Sequence, residues 1–472
     1  MRWRDALNPV GMQRVALLAP KESLRELLVT VANQGCVDLD DPGESDDDPG
    51  GSDPAMPSVA AAALQRVGGA ASASPLLART ADLARWERDG RVDLIAGEAQ
   101  LEERAARAVT HGRVAALTGW APANTVPPLA ASAATVDSAV VVMPAPIGVD
   151  PPTLLAQEGA ARDFAPLIET YATVPYRDVN PSLIAGIAYV VMFGMMFADA
   201  GQGALLFLAA LLVRTPRWAR LAPLRPYWVF LAGAGLASTL FGVLYGEFFG
   251  PTHVIPVVWL APLDRPVTLL LAAVAVGAVL LAGAYALGTV NRFREGGWRR
   301  AVYAPSGLAG ASLFLGLGAL ASGRYLHLTA LSVAGGAIMI AGIVLSYAGL
   351  FVSAGGGPAG ASQAVIELFD LVIRLCSNLV SFARLAAFGL THAALGLVVW
   401  ESTSGIARHG ALGILGAVVL FTVGNTLTFA LEGLVAGIQA LRLEYYELFS
   451  RIFDGEGRPF RPWHVPLATT EA

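Results

Sequence analysis

Lysine is almost missing from this chain: Lys21 is the only one in 472 residues, and arginine carries all the other basic charge. A phosphate-cradling G-x-x-x-x-G-K-[ST] loop is therefore excluded, and with it the commonest nucleotide site. Cysteine is nearly as scarce. Cys36 and Cys376 fall in different regions, which leaves no disulfide framework and no zinc ligand set. No other metal or nucleophile constellation stands out, so neither a metal nor a cofactor is expected. Charge of either sign is thin, at 15% of residues against about 25% in an average soluble chain. The net charge is −5 with no basic face, so nucleic acid is not an expected partner.

What fills the space is apolar. Hydrophobic residues make up 55% of the chain, and the mean hydropathy is +0.56. Residues 1–178 have ordinary charge density, whereas Asp199 is the only charged residue between Asp178 and Arg214. Uncharged runs then fill 226–246, 266–291, 301–323, 325–366 and 409–431. A bilayer core needs about 20 apolar residues per helix, so these runs predict a polytopic membrane protein set in a lipid bilayer. Strands of an outer-membrane barrel alternate in short segments and are excluded. The expected domains are a cytoplasmic N-terminal domain over 1–178, a transmembrane domain over 179–446 and a cytoplasmic tail over 447–472.

Within the first domain, Gln13–Leu18 and Cys36–Leu39 read as strands flanking a helix through Leu24, Leu27, Leu28 and Val31, stopped by Gly35. Asp38 to Asp53 holds eight acidic residues among Pro, Gly and Ser, a composition that predicts a disordered acidic loop near 38–75. Thr80–Ala108 is helix-prone, and Arg113–Trp120 and Ser138–Met143 look like strands. The expectation is a small α+β domain. No signal peptide is legible in Met1–Lys21, so this domain is expected to stay in the cytoplasm.

Loop arginines set the number of crossings. As one helix, 179–213 would be about 52 Å long, more than a bilayer core needs, and Asp199–Gly203 offers a turn at its middle. Arg214, Arg217, Arg220 and Arg225 follow in the next loop, and Arg292, Arg294, Arg299 and Arg300 come two crossings later. The positive-inside rule places both loops in the cytoplasm. With a cytoplasmic N-terminal domain, 179–213 must then cross twice. The fold class expected is a membrane all-α bundle of about eight transmembrane helices with both termini cytoplasmic. Seven helices with a translocated N-terminal domain is the alternative.

Polar residues inside this apolar chain gather on two stripes. Glu367, Asp370, Arg374, Ser377, Ser381, Arg384, Phe388 and Thr391 follow at spacings of three and four, with His392 beside them. Thr422, Asn425, Thr428, Glu432, Gln439, Arg442 and Tyr446 share a second face, where small Ala436 fills the gap. An arginine at mid-membrane costs at least about 2.5–3.5 kcal/mol, so stripes of this kind suit an ion pathway. Snorkelling at helix ends, or a structural Glu–Arg pair, is the alternative for Arg384 and Arg442. Asp199 and Glu247 divide between turn roles and an aqueous pathway, and His392 between a relay and a packing role.

Several segments resemble the a-type, or I-type, subunit of V-type and A-type rotary ATPases. They are Phe193–Gly203, Phe241–Gly250, Ser381-Phe382-Ala383-Arg384-Leu385 with His392, and the run from Leu431-Glu432 through Gln439 and Arg442 to Phe460. Leu117–Pro122, Pro175-Tyr176 and Asn180-Pro181 are similar too. The resemblance implies a non-catalytic stator subunit facing a proteolipid ring of c or K type. It also implies contacts with peripheral stalk subunits and with the adaptor of the central stalk. Arg384 would be the stator arginine that meets each ring carboxylate. Glu432, Arg442, Gln439 and His392 would line two ion half-channels, with Ser381 beside the arginine, Glu247 nearer the external mouth, and Asp199 in the adjoining turn. The stretch before the membrane is shorter than the family's usual arm, and Ala386 stands where an aromatic is usual. A secondary transporter with an Arg384/Glu432 solute site is the rival reading.

Overall fold

The computed structural model describes residues 8–40, 58–67, 75–77, 82–146, 148–155, 164, 168, 173–215, 219–453 and 457–466. The chain forms two compact units. One is Pro9–Leu154 with Gly457–Ala472, and the other is Met1–Asn8 with Leu155–Glu456.

The first unit is an antiparallel sheet covered by helices. Strand β1 (Met12–Pro20) runs between β4 (Val114–Pro122) and β5 (Ala139–Met143), in registers Met12↔Pro122 and Arg14↔Met143. The free edge of β4 takes β2 (Asp38–Leu39) at one end and β3 (Val109–His111) at the other. Helix α1 (Leu24–Gln34) buries Leu27, Leu28 and Val31, and Gly35 closes it by donating its N–H to the Val31 carbonyl. The helix-prone stretch 80–108 divides at Asp89-Gly90 into α3 (Leu83–Arg88) and α4 (Val92–Ala106). Two parts of the stretch expected to be disordered are ordered. Asp38–Leu39 pairs with β4, and Val59–Val67 forms α2, with Ala60 and Ala63 buried. An alanine-rich helix shows too little periodicity to be read from sequence. Residues 41–57 and 68–74 of that stretch lie outside the described residues.

The end of the chain completes this unit. Arg458 and Phe460 bond to the Thr153 backbone at 2.7 and 3.1 Å, and the Trp463 and Val465 amides donate to Val37 and Ala32. Arg458 reaches Asp38 at 3.8 Å and Asp40 at 3.9 Å. Trp463 and Val465 enter the core with Val15, Leu27, Leu28 and Leu117.

Among the described residues, the regular elements of the second unit are helices. Its helices are α6 (Ser182–Met196), α7 (Ala200–Arg214), α8 (Trp228–Tyr245), α9 (Pro266–Tyr303), α10 (Leu308–Tyr325) and α11 (Thr329–Ser353). Then come α12 (Gly357–Ser381), α13 (Ala383–Ala407) and α14 (Gly410–Leu443). In the first unit α5 is Val126–Ala134. Among the described residues, five helical segments are long and apolar enough to cross a bilayer: Arg220–Tyr245, Pro266–Tyr303, Thr329–Ser353, Gly357–Ala407 and Gly410–Ile452. Together with the family likeness reported below, they make the chain an integral membrane protein. The expected eight crossings exceed this number. Part of the difference is that 179–213 forms two helices of 15 residues each, about 22 Å apiece at 1.5 Å per residue. The uncharged run 325–366 breaks at Gly355, Gly356 and Gly357, which all take positive φ, a conformation glycine adopts without strain. Leucine, valine and isoleucine cover much of the outer surface of these helices, Leu412 at 86% exposure among them.

A polar knot ties three parts of this unit together. Asn291 accepts the Val179 amide and donates to the Ile452 carbonyl, and fully buried Arg292 pairs with Glu295 at 2.8 Å. Buried Asp178 faces the same cluster. Burial, reinforced by the Glu295 carboxylate, pushes its carboxyl up to about 7 despite the nearby Arg292.

Two outcomes follow from these packings. Trp463→Ala empties a core position, so the opening free energy read from hydrogen exchange at β1 amides should fall by about 3 kcal/mol. Asp178 binds its proton more tightly folded than unfolded, so stability should fall as pH rises from about 4 to about 7. Asp178→Asn should flatten that slope in melting curves of the detergent-solubilised protein. An unchanged slope would place the titration elsewhere.

Candidate ion pathway

The helix expected over 363–400 lies within one helical segment, Gly357–Ala407, interrupted at a single residue. Phe382 separates α12 from α13 and is fully buried. Its ring lies so close over Gly277 of α9 that a Cβ there would stand 2.2 Å from the Phe382 ring. The break therefore has a seat that only glycine provides, and it puts Arg384 in the first turn of a new helix.

Arg384 is held from one side and open on the other. Its Nη1 donates to Gln439 Oε1 at 3.3 Å, and Nη2 lies 3.9 Å from Glu447 Oε1. A quarter of its side chain remains exposed. It lines an open groove of about 850 Å³ with Ser377, Ser381, Ala387 and Thr391. The Ser381 hydroxyl donates to the Ser377 carbonyl at 3.0 Å and also lies beside Glu447. Ala383, Ala386, Ala387 and Ala394 keep part of the lining low, and Leu270, Val380, Leu390 and Leu395 make the rest of it apolar. Further along α12 the polar stripe faces outward. Asp370 pairs with Arg374 at 2.5 Å, both more than half exposed, while Ala364, Leu371 and Leu375 turn inward.

Two residues in this region were missed by sequence spacing. After Leu443 the chain takes a wider π turn over Glu444–Phe449, which adds a residue to the turn and shifts the faces. Glu447 thereby swings inward to Arg384. Glu444 becomes fully buried, with both carboxylate oxygens lacking a hydrogen-bond partner. Counting at 3.6 from Gln439 treats both as charges of a solvated helix end. Arg442, in contrast, is exposed on the outer face, within electrostatic reach of Glu447.

The remaining sequence-identified residues form a second cluster. His392 of α13 is buried, and its Nδ1 meets the Glu432 carboxylate of α14. The Phe197 ring packs on the imidazole with centroids 5.0 Å apart. Asp199 and Glu247, both buried, interact electrostatically with the same histidine. Asp199 caps α7 by accepting the Gln202 amide at 2.8 Å. It also accepts the amides of Phe249 and Gly250 at 3.0 and 2.8 Å, fixing the loop that carries Glu247. Gln202, another residue without a role in the sequence reading, donates to Asn425 at 3.2 Å. Glu247 and Glu432 each keep one buried oxygen without a partner.

The eight candidate residues thus fall into separate places. Arg384, Gln439 and Ser381 meet at the groove, with Arg442 outside it. Asp199, Glu247, His392 and Glu432 meet in the interior. Such an arrangement can hold a fixed positive charge at one point and pass protons among carboxylates and an imidazole at another. Among the described residues no group of three or more His, Cys, Asp or Glu has the arrangement to hold a metal ion.

The family model of the V-type ATPase 116kDa subunit family matches residues 108–258 and 362–465, more than half of the chain and both clusters. Among curated proteins, the chain is 29% identical to an A-type ATP synthase subunit I of Thermococcus kodakarensis over 66% of its own length and 47% of that protein's. It is 29% identical to the A-type ATP synthase subunit I of Aeropyrum pernix, covering 68% of this chain and 52% of that one. The Halobacterium salinarum protein of the same name is 28% identical, with coverages of 66% and 51%. The chain therefore spans about half the length of the curated relatives it matches.

Proposed function

Because the chain belongs to the V-type ATPase 116kDa subunit family, we propose that it is the non-catalytic stator of a rotary ATPase, carrying protons or sodium ions past a proteolipid ring. The observation that carries this reading is Arg384. It is an arginine on a membrane helix, supported from behind by Gln439 and Glu447 and open to a groove whose other lining is small or apolar. A groove of this kind suits a passing helix that bears a carboxyl group.

The chemistry follows from charge. A ring carboxyl in lipid is stable only when neutral, since burial disfavours its ionised form. Facing a guanidinium that stays protonated, the ionised form becomes favoured. A carboxyl therefore gives up its ion before passing Arg384 and takes up another afterwards. The His392–Glu432–Glu247–Asp199 cluster would serve one half-channel. Ser381, Gln439, Glu447 and Arg442 would serve the other, on the far side of the arginine. With the entrances offset around the ring, a membrane potential supplies about 2.3 kcal/mol per charge per 100 mV. That work appears as rotation. ATP chemistry would reside in partner subunits, with stalk and adaptor subunits holding this chain against the ring.

The proposed topology has eight crossings and both termini in the cytoplasm, with α6 and α7 as short crossings joined at Asp199. Cysteines placed at the exposed positions 253 and 220 test it. The His253→Cys variant should be labelled from outside and Arg220→Cys from the cytoplasm, and labelling of both from one side would sink the eight-helix topology.

The function is tested at Arg384. Arg384→Ala should abolish coupled transport in reconstituted complexes while leaving the ring bound, because no fixed charge then forces the carboxyl to ionise. Arg384→Lys should also lose most coupling, since lysine can shed its proton when desolvated. Arg442→Ala should be milder, as water can replace an exposed side chain. Normal proton pumping by Arg384→Ala would leave a structural ion pair as the better account.

A further inference from the structure

Away from both clusters, α9 ends in a feature that ion translocation does not use. Pro266–Glu295 is about 45 Å of helix at 1.5 Å per residue, enough to cross the hydrocarbon core and reach the headgroups. There the helix breaks. Gly296 and Gly297 leave helical geometry, Gly297 with φ +67°, and the chain resumes as Trp298-Arg299-Arg300-Ala301-Val302-Tyr303. An open pocket of about 610 Å³ lies at this break. Arg299, Arg300 and Tyr303 form one wall, and Gly349, Val352 and Ser353 at the end of α11 form the other.

Its chemistry is two-faced. Residues 292–300 contain four arginines against one glutamate, and that glutamate already pairs with Arg292 at 2.8 Å and Arg300 at 3.5 Å. No ion pair of Arg299 occurs among the described residues, and its side chain is exposed. Trp298 is 70% exposed and stacks edge-on with exposed Phe293, while Tyr303 is 41% exposed. Amphipathic aromatics at a helix end mark the headgroup level. Val352 supplies an apolar wall that is itself 59% exposed. A soluble anion would use only the arginines. A phospholipid uses both walls, its phosphate on Arg299 and Arg300 and its first methylenes against Val352.

We propose that the pocket between the α9 break and the end of α11 binds the phosphate headgroup of an anionic phospholipid. Basic pockets between membrane helices are suited to such headgroups. The full-length protein, delipidated in detergent, is titrated with phosphatidylglycerol, with phosphatidylcholine and with inorganic phosphate, and bound lipid is counted by native mass spectrometry. Phosphatidylglycerol should bind more tightly than phosphatidylcholine and should resist displacement by millimolar phosphate. Each arginine near a headgroup is worth about fivefold. Arg299→Gln, which leaves the Arg300–Glu295 pair in place, should therefore weaken phosphatidylglycerol about fivefold, and the Arg299→Gln/Arg300→Gln double variant about 25-fold. Arg324→Gln, at the end of α10, should change nothing. The proposal is overturned if the two lipids bind alike, if Arg299→Gln binds phosphatidylglycerol as tightly as the unaltered protein, or if free phosphate displaces the lipid.

Discussion

A guanidinium on a membrane helix is tolerable only if something keeps it solvated or paired, and the helical unit is arranged around that requirement at Arg384. The Phe382 break begins α13 one residue before the arginine. Gly277 makes room for the ring that holds the break. From α14, Gln439 supplies an acceptor, and the π turn brings Glu447 round to supply a charge. None of these partners closes over the guanidinium. Its Glu447 contact is 3.9 Å, longer than a well-made ion pair, which leaves the charge available to a group arriving from the groove.

The second cluster solves a different problem. Asp199 is tied by three backbone amides, the kind of environment that holds a carboxylate in place. Glu247 and Glu432, in contrast, keep oxygens without partners beside an imidazole. Groups satisfied on every side are structural, and groups left partly unsatisfied in the interior of a membrane unit are places for water or protons. By that criterion Asp199 holds the cluster in place, while Glu247, His392 and Glu432 are the groups that the proposed half-channel would use to exchange protons. Asp199 still bears on the cluster, because the loop it anchors carries Glu247.

What was legible in the sequence was local. Arg384, His392, Glu432 and Gln439 stand out because charged and amide groups are rare in apolar helices, and the 3.6 period ordered them on faces. The strands at Gln13 and Arg113 and the α1 helix were equally readable from alternation and spacing. The failures have a common cause. Phe382 is a plain apolar residue whose break comes from packing on Gly277, some hundred positions away in sequence. Glu447 and Glu444 are displaced by a π turn that no period announces. The α2 helix hides in a tract of alanines, and the closing segment 457–466 looks like a polar tail until Val37 and Ala32 are seen to receive its amides.

That closing segment is held by backbone hydrogen bonds within each unit. Ile452, at the end of the helical unit, accepts bonds from Asn291 and Arg292. A few residues later the backbone is bonded to Thr153, Val37 and Ala32, and Trp463 is in the core of the sheet unit. Each of these bonds is made inside its own unit: Asn291 and Arg292 hold Ile452 within the helical unit, and Thr153, Val37 and Ala32 hold residues 458–465 within the sheet unit. A stretch that reads as a polar tail is thus fixed by backbone hydrogen bonds and by the burial of Trp463 and Val465, which no charge pattern announces.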